Sequence, residues 1–218
     1  MFTPQFEILP TTQKTLWPEL AEVPNHFVLY GGTGLALRLG HRQSVDFDFF
    51  SSEQVDPGEL LRRLTFLRDA KIIQNVSQTL TVIVDREGPV KLSFFGSVGL
   101  GRVGTPDKTP DGVLQVASLL DLAGTKAAVV AQRAESKDYI DILALIDSGT
   151  SLLSAMAAAR AIYGDQYNPM LTVKSLTYFG DGDLHKLTSR QKTQLIDCAT
   201  AHWPELPTIP RLSDKLAS

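Results

Sequence analysis

The chain predicts a mixed α/β (α+β) fold, with a sheet of about five strands, flanking helices and a helical C-terminal region. Three stretches carry that reading. Residues 27–50, FVLYGGTGLALRLGHRQSVDFDFF, read as strand, Gly-Gly turn, short helix and second strand. Residues 71–95 hold three apolar runs of strand length, and from Ser118 onward the apolar residues recur at helical spacing.

In chain order, residues 1–24 form a leader with one short amphipathic helix. Thr11 or Thr12 caps it, Leu16, Trp17 and Leu20 stripe it, and Pro24 stops it. Residues 27–30 are the first strand, 33–39 a helix, and a connector ending in Ser44 leads to a strand that carries Asp46 and Asp48. Pro57-Gly58 marks a turn, and 59–67 is helical, with Leu60, Leu61, Leu64 and Leu67 inward and Arg62, Arg63 and Arg68 on the solvated side. Strands at 71–76, 80–85 and 89–95 follow, the last two joined as a hairpin through Arg86-Glu87-Gly88. Residues 96–112 are rich in glycine and proline and read as an irregular segment. Helices are then expected from Ser118, as N-cap, to about Arg133, from 136 or 137 to 146, over 150–163, over 172–179 and over 189–201, before a tail broken by Pro204, Pro207 and Pro210. Trp17, Trp203 and that tail offer surface for a partner. The organisation expected is residues 1–112 as an α/β core with its leader and 113–218 as a helical region completing the active site.

Composition narrows the function. At 218 residues, 43% hydrophobic and 21% charged, the chain has an ordinary globular balance. A formal net charge of -3 gives no global attraction for nucleic acid, so any such contact needs a local basic patch. A single cysteine, Cys198, excludes an intramolecular disulfide and any multi-cysteine metal site. No run reaches about 18 apolar residues, and the first residues lack a basic, apolar leader, so a soluble cytoplasmic protein without membrane contact is expected.

The chemistry concentrates in residues 27–50. Side chains alternate along a strand, so Asp46 and Asp48 share one face while Phe47 and Phe49 anchor the other. Two adjacent carboxylates repel unless cations or hydrogen bonds compensate, and Mg2+ bound through one or two carboxylates plus substrate phosphates is one natural compensator. Gly31 and Gly32, between strand and helix, let a ligand approach the main chain, and Thr33 can cap a helix whose N-terminus favours a phosphate. The spacing is neither a dinucleotide fingerprint nor a Walker A loop. Ser44-x-Asp46-x-Asp48 beside the diglycine turn fits nucleotidyl transfer. Arg38 and Arg42 can neutralise a triphosphate, although Arg38 also suits the helix C-terminal dipole.

A second group lies in AGTKAAVVAQRAESKDYIDILAL. Lys126 and Arg133 fall near one side of a helix. Lys126 stands among small and apolar residues, and an inward lysine there requires an anion, either a carboxylate or a phosphate. Lys137 and Asp141, four apart, can be read as no more than a surface pair.

GGTGLALRLGHRQSVDFDFF, VKLSFF at 90–95 and K126…R133…KDYIDILAL together resemble the nucleotidyltransferase-fold family that includes the AbiEii/AbiGii toxins of abortive-infection and toxin-antitoxin systems. The resemblance spans about residues 27–147. It implies a nucleotidyltransferase-like sheet and an enzyme that moves a nucleotide from an NTP to an acceptor hydroxyl, in some members at the acceptor end of tRNA, with a cognate antitoxin protein as partner. It implies Asp46 and Asp48 as ligands of Mg2+ or Mn2+, Gly32 and Thr33 on the triphosphate, Lys126 on the nucleotide phosphates, and Asp141 as a further catalytic acid. With these, Gly31, Arg38, Ser44 and Arg133 make up the expected nucleotide-binding set. One departure is that a third acidic ligand, usual on a later strand of the broader fold, is expected near residue 93, where this chain has Ser93. A nucleotide-binding or partner-binding protein without catalysis, or a small-molecule nucleotidyltransferase, is the alternative.

Overall fold

The structure, a computed structural model, describes residues 2–201 and 205–217. Trp203 and Pro204, expected in the tail, lie outside the described residues. The chain divides into two compact units, one of Met1–Leu100, Gly104–Ser118 and Ser213–Ser218, the other of Gly101–Val103 and Leu119–Leu212.

The first unit is built on a seven-stranded mixed sheet. Its strands are β1 (Val28–Tyr30), β2 (Asp46–Phe50), β3 (Lys71–Val76), β4 (Thr79–Asp85), β5 (Pro89–Phe95), β6 (Asp107–Lys108) and β7 (Gln115–Val116), in the order β3-β4-β5-β2-β1-β7-β6. The five expected strands are present. The sequence reading falls short by β6 and β7, two-residue strands whose pairing is antiparallel to each other and, at Leu29↔Val116, parallel to β1. Such short strands have no periodicity of their own to read.

Alternation does the sorting in the middle of the sheet. Phe47 and Phe49 of β2, Leu92 and Phe94 of β5, and Leu80 and Val82 of β4 are fully buried together in one core. Phe49 stacks on Phe94 at 5.1 Å between centroids, and Phe27 meets Phe94 edge-on at 5.4 Å. Asp46, Asp48, Lys91 and Ser93 are left on the opposite face by the same alternation.

Four local expectations are corrected. The leader helix α1 (Thr11–Leu16) has Pro10, not a threonine, at its N-cap. Trp17 belongs to the core rather than to a partner surface, because its indole N–H donates to Asp111 Oδ2 at 2.7 Å and its ring packs edge-on against Phe6. The next helix α2 spans Gly31–Leu39, beginning at the diglycine itself. The helix after it, α3 (Pro57–Arg63), is capped by Asp56 and gives way to a 3-10 turn at Thr65–Leu67.

The second unit is helical, with α4 (Leu119–Val130), α5 (Ser136–Asp147), α6 (Leu152–Tyr163), α7 (Pro169–Ser175) and α8 (Ser189–Thr200). Helices α4 and α6 approach closely, since a Cβ on Gly124 would stand 2.9 Å from the backbone nitrogen of Ala159. Helix α7 starts three residues before the expected 172, because Asn168 accepts from the Met170 N–H and Pro169 takes N1. Asp183 reaches back to cap α5, accepting from the backbone N–H of Ser136 at 2.5 Å and from its hydroxyl at 3.0 Å. Among the described residues no single helix is long and apolar enough to cross a membrane; α5 with Leu152–Gln166 meets that test only jointly, across a 115° bend.

Phe94→Ala empties the centre of the aromatic stack. It should lower unfolding stability by about 3–5 kcal/mol, read as a lower urea midpoint at an unchanged slope.

Candidate active site

Strand register assembles the acidic face. Tyr30, the last residue of β1, pairs with Asp48 of β2, so α2 begins directly beside the carboxylate. Gly31 has φ +67, in the region that favours glycine, and a Cβ there would stand 2.5 Å from Asp48 Oδ2. A Cβ on Gly32 would meet Ser44 Oγ and Arg42 Nη2, each at 2.8 Å. The diglycine therefore brings main chain against Asp48 on one side and against Ser44 and Arg42 on the other.

Thr33 does not cap the helix. The N-cap position is Tyr30, which makes no side-chain cap bond, and Thr33 is fully buried with its hydroxyl donating to the carbonyl oxygen of Asp46. Its side chain thus pins the first turn of α2 to the start of β2, and what that turn offers a phosphate is its backbone N–H groups.

Across β2 and β5, which run parallel, Asp46 pairs with Lys91 and Asp48 with Ser93. Ser93 therefore occupies the position next to Asp48 that the departure from the acidic pattern concerns. Lys91 Nζ lies 3.5 Å from Asp46 Oδ2. The sequence reading passed over Lys91; the available signal was its place two residues before Ser93, on the same face. A divalent ion fits this donor set in one way. Among the described residues no group of three or more His, Cys, Asp or Glu can hold a metal, but two carboxylates beside a main-chain turn where only glycine fits suit an ion whose remaining ligands are phosphates and water.

Arg38 has a structural task. Its Nε donates to the Ala117 carbonyl at 2.6 Å, and its Nη2 meets Asp107 at 2.8 Å and the Val116 carbonyl at 3.1 Å, tying α2 to the β6–β7 edge. Those bonds engage its Nε and Nη2 donors. Arg42, beside Gly32, is the arginine at the cradle.

Lys126, Arg133 and Asp141 belong to the helical unit, where Asp138 joins Lys126 to Arg133 and Lys126 in turn reaches Asp141. Lys126 Nζ is 2.7 Å from Asp138 Oδ1 and 2.6 Å from Asp141 Oδ2, and Arg133 Nε is 2.8 Å from Asp138 Oδ2. Asp138 and Asp141 are fully buried and Lys126 nearly so. The anion that an inward lysine requires is thus a pair of carboxylates. Lys137, read as a surface partner of Asp141, bonds Glu135 at 2.8 Å. Burial pushes the Asp138 carboxyl up, but the Arg133 hydrogen bond and the Lys126 charge outweigh it and hold it below its ordinary value.

By its family match the chain is an enzyme of the nucleotidyltransferase class. Residues 18–198 match the model of the nucleotidyl transferase AbiEii toxin, type IV toxin-antitoxin system, and the chain belongs to that family. An uncharacterised protein of Aquifex aeolicus (strain VF5), aq_aa25, is 32% identical over 160 residues, 72% of this chain and 75% of that one. A crystal structure from H. pylori, described as a proposed nucleotidyltransferase, superposes with TM-score 0.49 at 17% identity, over 86% of this chain and 90% of that one.

Acid should weaken the helical unit. The Asp183 carboxyl is held down to about 2 by the Ser136 backbone N–H and by Lys186. Asp138 and Asp183 both titrate lower folded than unfolded. Their stabilisation is therefore in full force above the unfolded value near ~3.9 and is lost as pH falls through the depressed folded values. Thermal melts from pH 6 down to pH 2 should show Tm falling below about pH 4, with a shallower fall in Asp183→Asn.

Proposed function

We propose that the chain moves a nucleotide from an NTP to an acceptor hydroxyl at the acidic face of the sheet, with Asp46 and Asp48 holding Mg2+ or Mn2+. The approach of the Gly31 main chain to the Asp48 carboxylate carries this reading, because it sets an anion-binding helix start against a cation-binding strand. A divalent ion bound there would offset triphosphate charge and help ionise the acceptor. In the same proposal the backbone N–H groups of the Gly31–Thr33 turn receive phosphate oxygens, with Ser44 and Arg42 flanking them. The acceptor oxygen bonds the α-phosphorus as the bond to pyrophosphate breaks, and the hydroxyl proton is released. Catalytic and phosphate-binding roles for Lys126, Arg133 and Asp141 rest on the family resemblance alone.

The acceptor we favour is an RNA end, tRNA included, and a cognate antitoxin is the partner that family membership suggests. NTP and RNA as substrates fit a cytoplasmic site of action. Ser93, in place of a third carboxylate, favours one competing reading, a nucleotide-binding protein that has lost transfer.

Labelled NTPs incubated with total RNA and the protein distinguish the two. Label should enter RNA with the wild type and fall to background with Asp46→Ala and with Asp48→Ala; equal labelling by all three rejects the proposal. Within the active system, Arg42→Ala should raise KM for NTP about tenfold at little change in kcat, as expected for losing one charge-assisted contact. Arg38→Ala should instead lower Tm and leave KM in place.

A further inference from the structure

On the acidic face of the β2–β5 pair, ahead of Phe50 and Phe95, four positions carry two carboxylates, one hydroxyl and one ammonium: Asp46 beside Lys91, Asp48 beside Ser93. Two divalent ions about 4 Å apart, the arrangement of a two-metal phosphoryl-transfer site, need carboxylates to bridge and flank them. Here the third position is neutral and the fourth is cationic. Lys91 is not held there for stability, since a half-exposed pair at 3.5 Å contributes little to folding. Its backbone position is nonetheless fixed, because Val90 and Leu92 on either side are fully buried in the core.

We infer that the acid pair takes one divalent ion, not two, and that the Lys91 ammonium stands beside Asp46 where a second ion would otherwise sit. The inference rests on the metal-binding reading of Asp46 and Asp48 and adds the stoichiometry and the residue that sets it. Lys91 acts through Asp46 as a positioning residue: it neutralises one carboxylate and repels a further cation, so the single ion is shared between Asp46 and Asp48 with the phosphates of the substrate completing its shell.

Mn2+ titration of the full chain, with free Mn2+ read by electron paramagnetic resonance, tests this without reference to turnover. The wild type should bind one Mn2+ per chain, and Asp46→Ala and Asp48→Ala should lose it. Lys91→Glu, which completes a three-carboxylate set, should bind two. Lys91→Gln, a milder change should Lys91→Glu fail to fold, should keep one ion and bind it on the order of tenfold more tightly. Two ions in the wild type, both lost in Asp46→Ala, overturn the inference while leaving the metal-binding reading intact. Unchanged stoichiometry and affinity in both Lys91 variants overturn it likewise. Mn2+ binding that is absent, or indifferent to Asp46→Ala and Asp48→Ala, overturns the inference together with the reading it rests on.

Discussion

With 2.5 Å between the Cβ position of Gly31 and Asp48 Oδ2, any side chain at residue 31 would displace the carboxylate or the helix start. The rest of the acidic face depends on that closeness. Tyr30↔Asp48 sets where β1 ends relative to β2, the positive φ of Gly31 turns the chain into α2 within one residue, and Thr33 then reaches the Asp46 carbonyl. One residue of slip between β1 and β2 would not merely shift these contacts. It would turn Asp46 and Asp48 toward the core and Phe47 and Phe49 out of it, at a cost that the buried aromatics make prohibitive. Hydrophobic burial on one face thus enforces charge placement on the other.

The two groups of charged residues are organised on opposite principles. In the helical unit Lys126 and Arg133 meet Asp138 and Asp141 at hydrogen-bond distance, with both carboxylates fully buried. Removing one member of such a group strands the others, so a large effect of substitution there is what a purely structural network would also give. On the sheet the carboxylates are partly exposed, and Lys91 stands at a loose 3.5 Å. Little folding stability is held in the Lys91–Asp46 pair, so substitution at Asp46 reports on chemistry far more cleanly than substitution at Lys126 does. The functional weight that the family resemblance gives to Lys126 and Asp141 is therefore harder to separate from stability than that of Asp46.

Much of this was legible because period-two alternation and glycine placement are local properties. The core strands, the shared face of Asp46 and Asp48 and the strand-to-helix turn at the diglycine follow from neighbours within a few residues. Arg38 was not legible in the same way. Its partners are carbonyls at 116 and 117 and a carboxylate at 107, on strands too short to show a pattern, and no local rule connects them to residue 38. The start of α7 was legible in principle, since Asn168-Pro169 is a cap followed by an N1 proline. Thr33 shows the limit of motif reading: threonine at a helix start reads as a cap, but glycine at 31 moved that start two residues upstream and left the hydroxyl a strand carbonyl instead.

Lys91 illustrates how tightly the chemistry is tied to the core. Every second residue of β5 from Val90 to Phe94 is fully buried, and the cross-strand partners of that core row are Phe47 and Phe49. The intervening residues have no freedom to choose a face, so Lys91 and Ser93 are delivered to the acid pair by the packing of Leu92 and Phe94. A substitution that changed the volume of Leu92 or Phe94 would move the ammonium and the hydroxyl relative to the two carboxylates without touching any of them. Selection acting on the core of this sheet therefore acts at the same time on the charge balance of its acidic face.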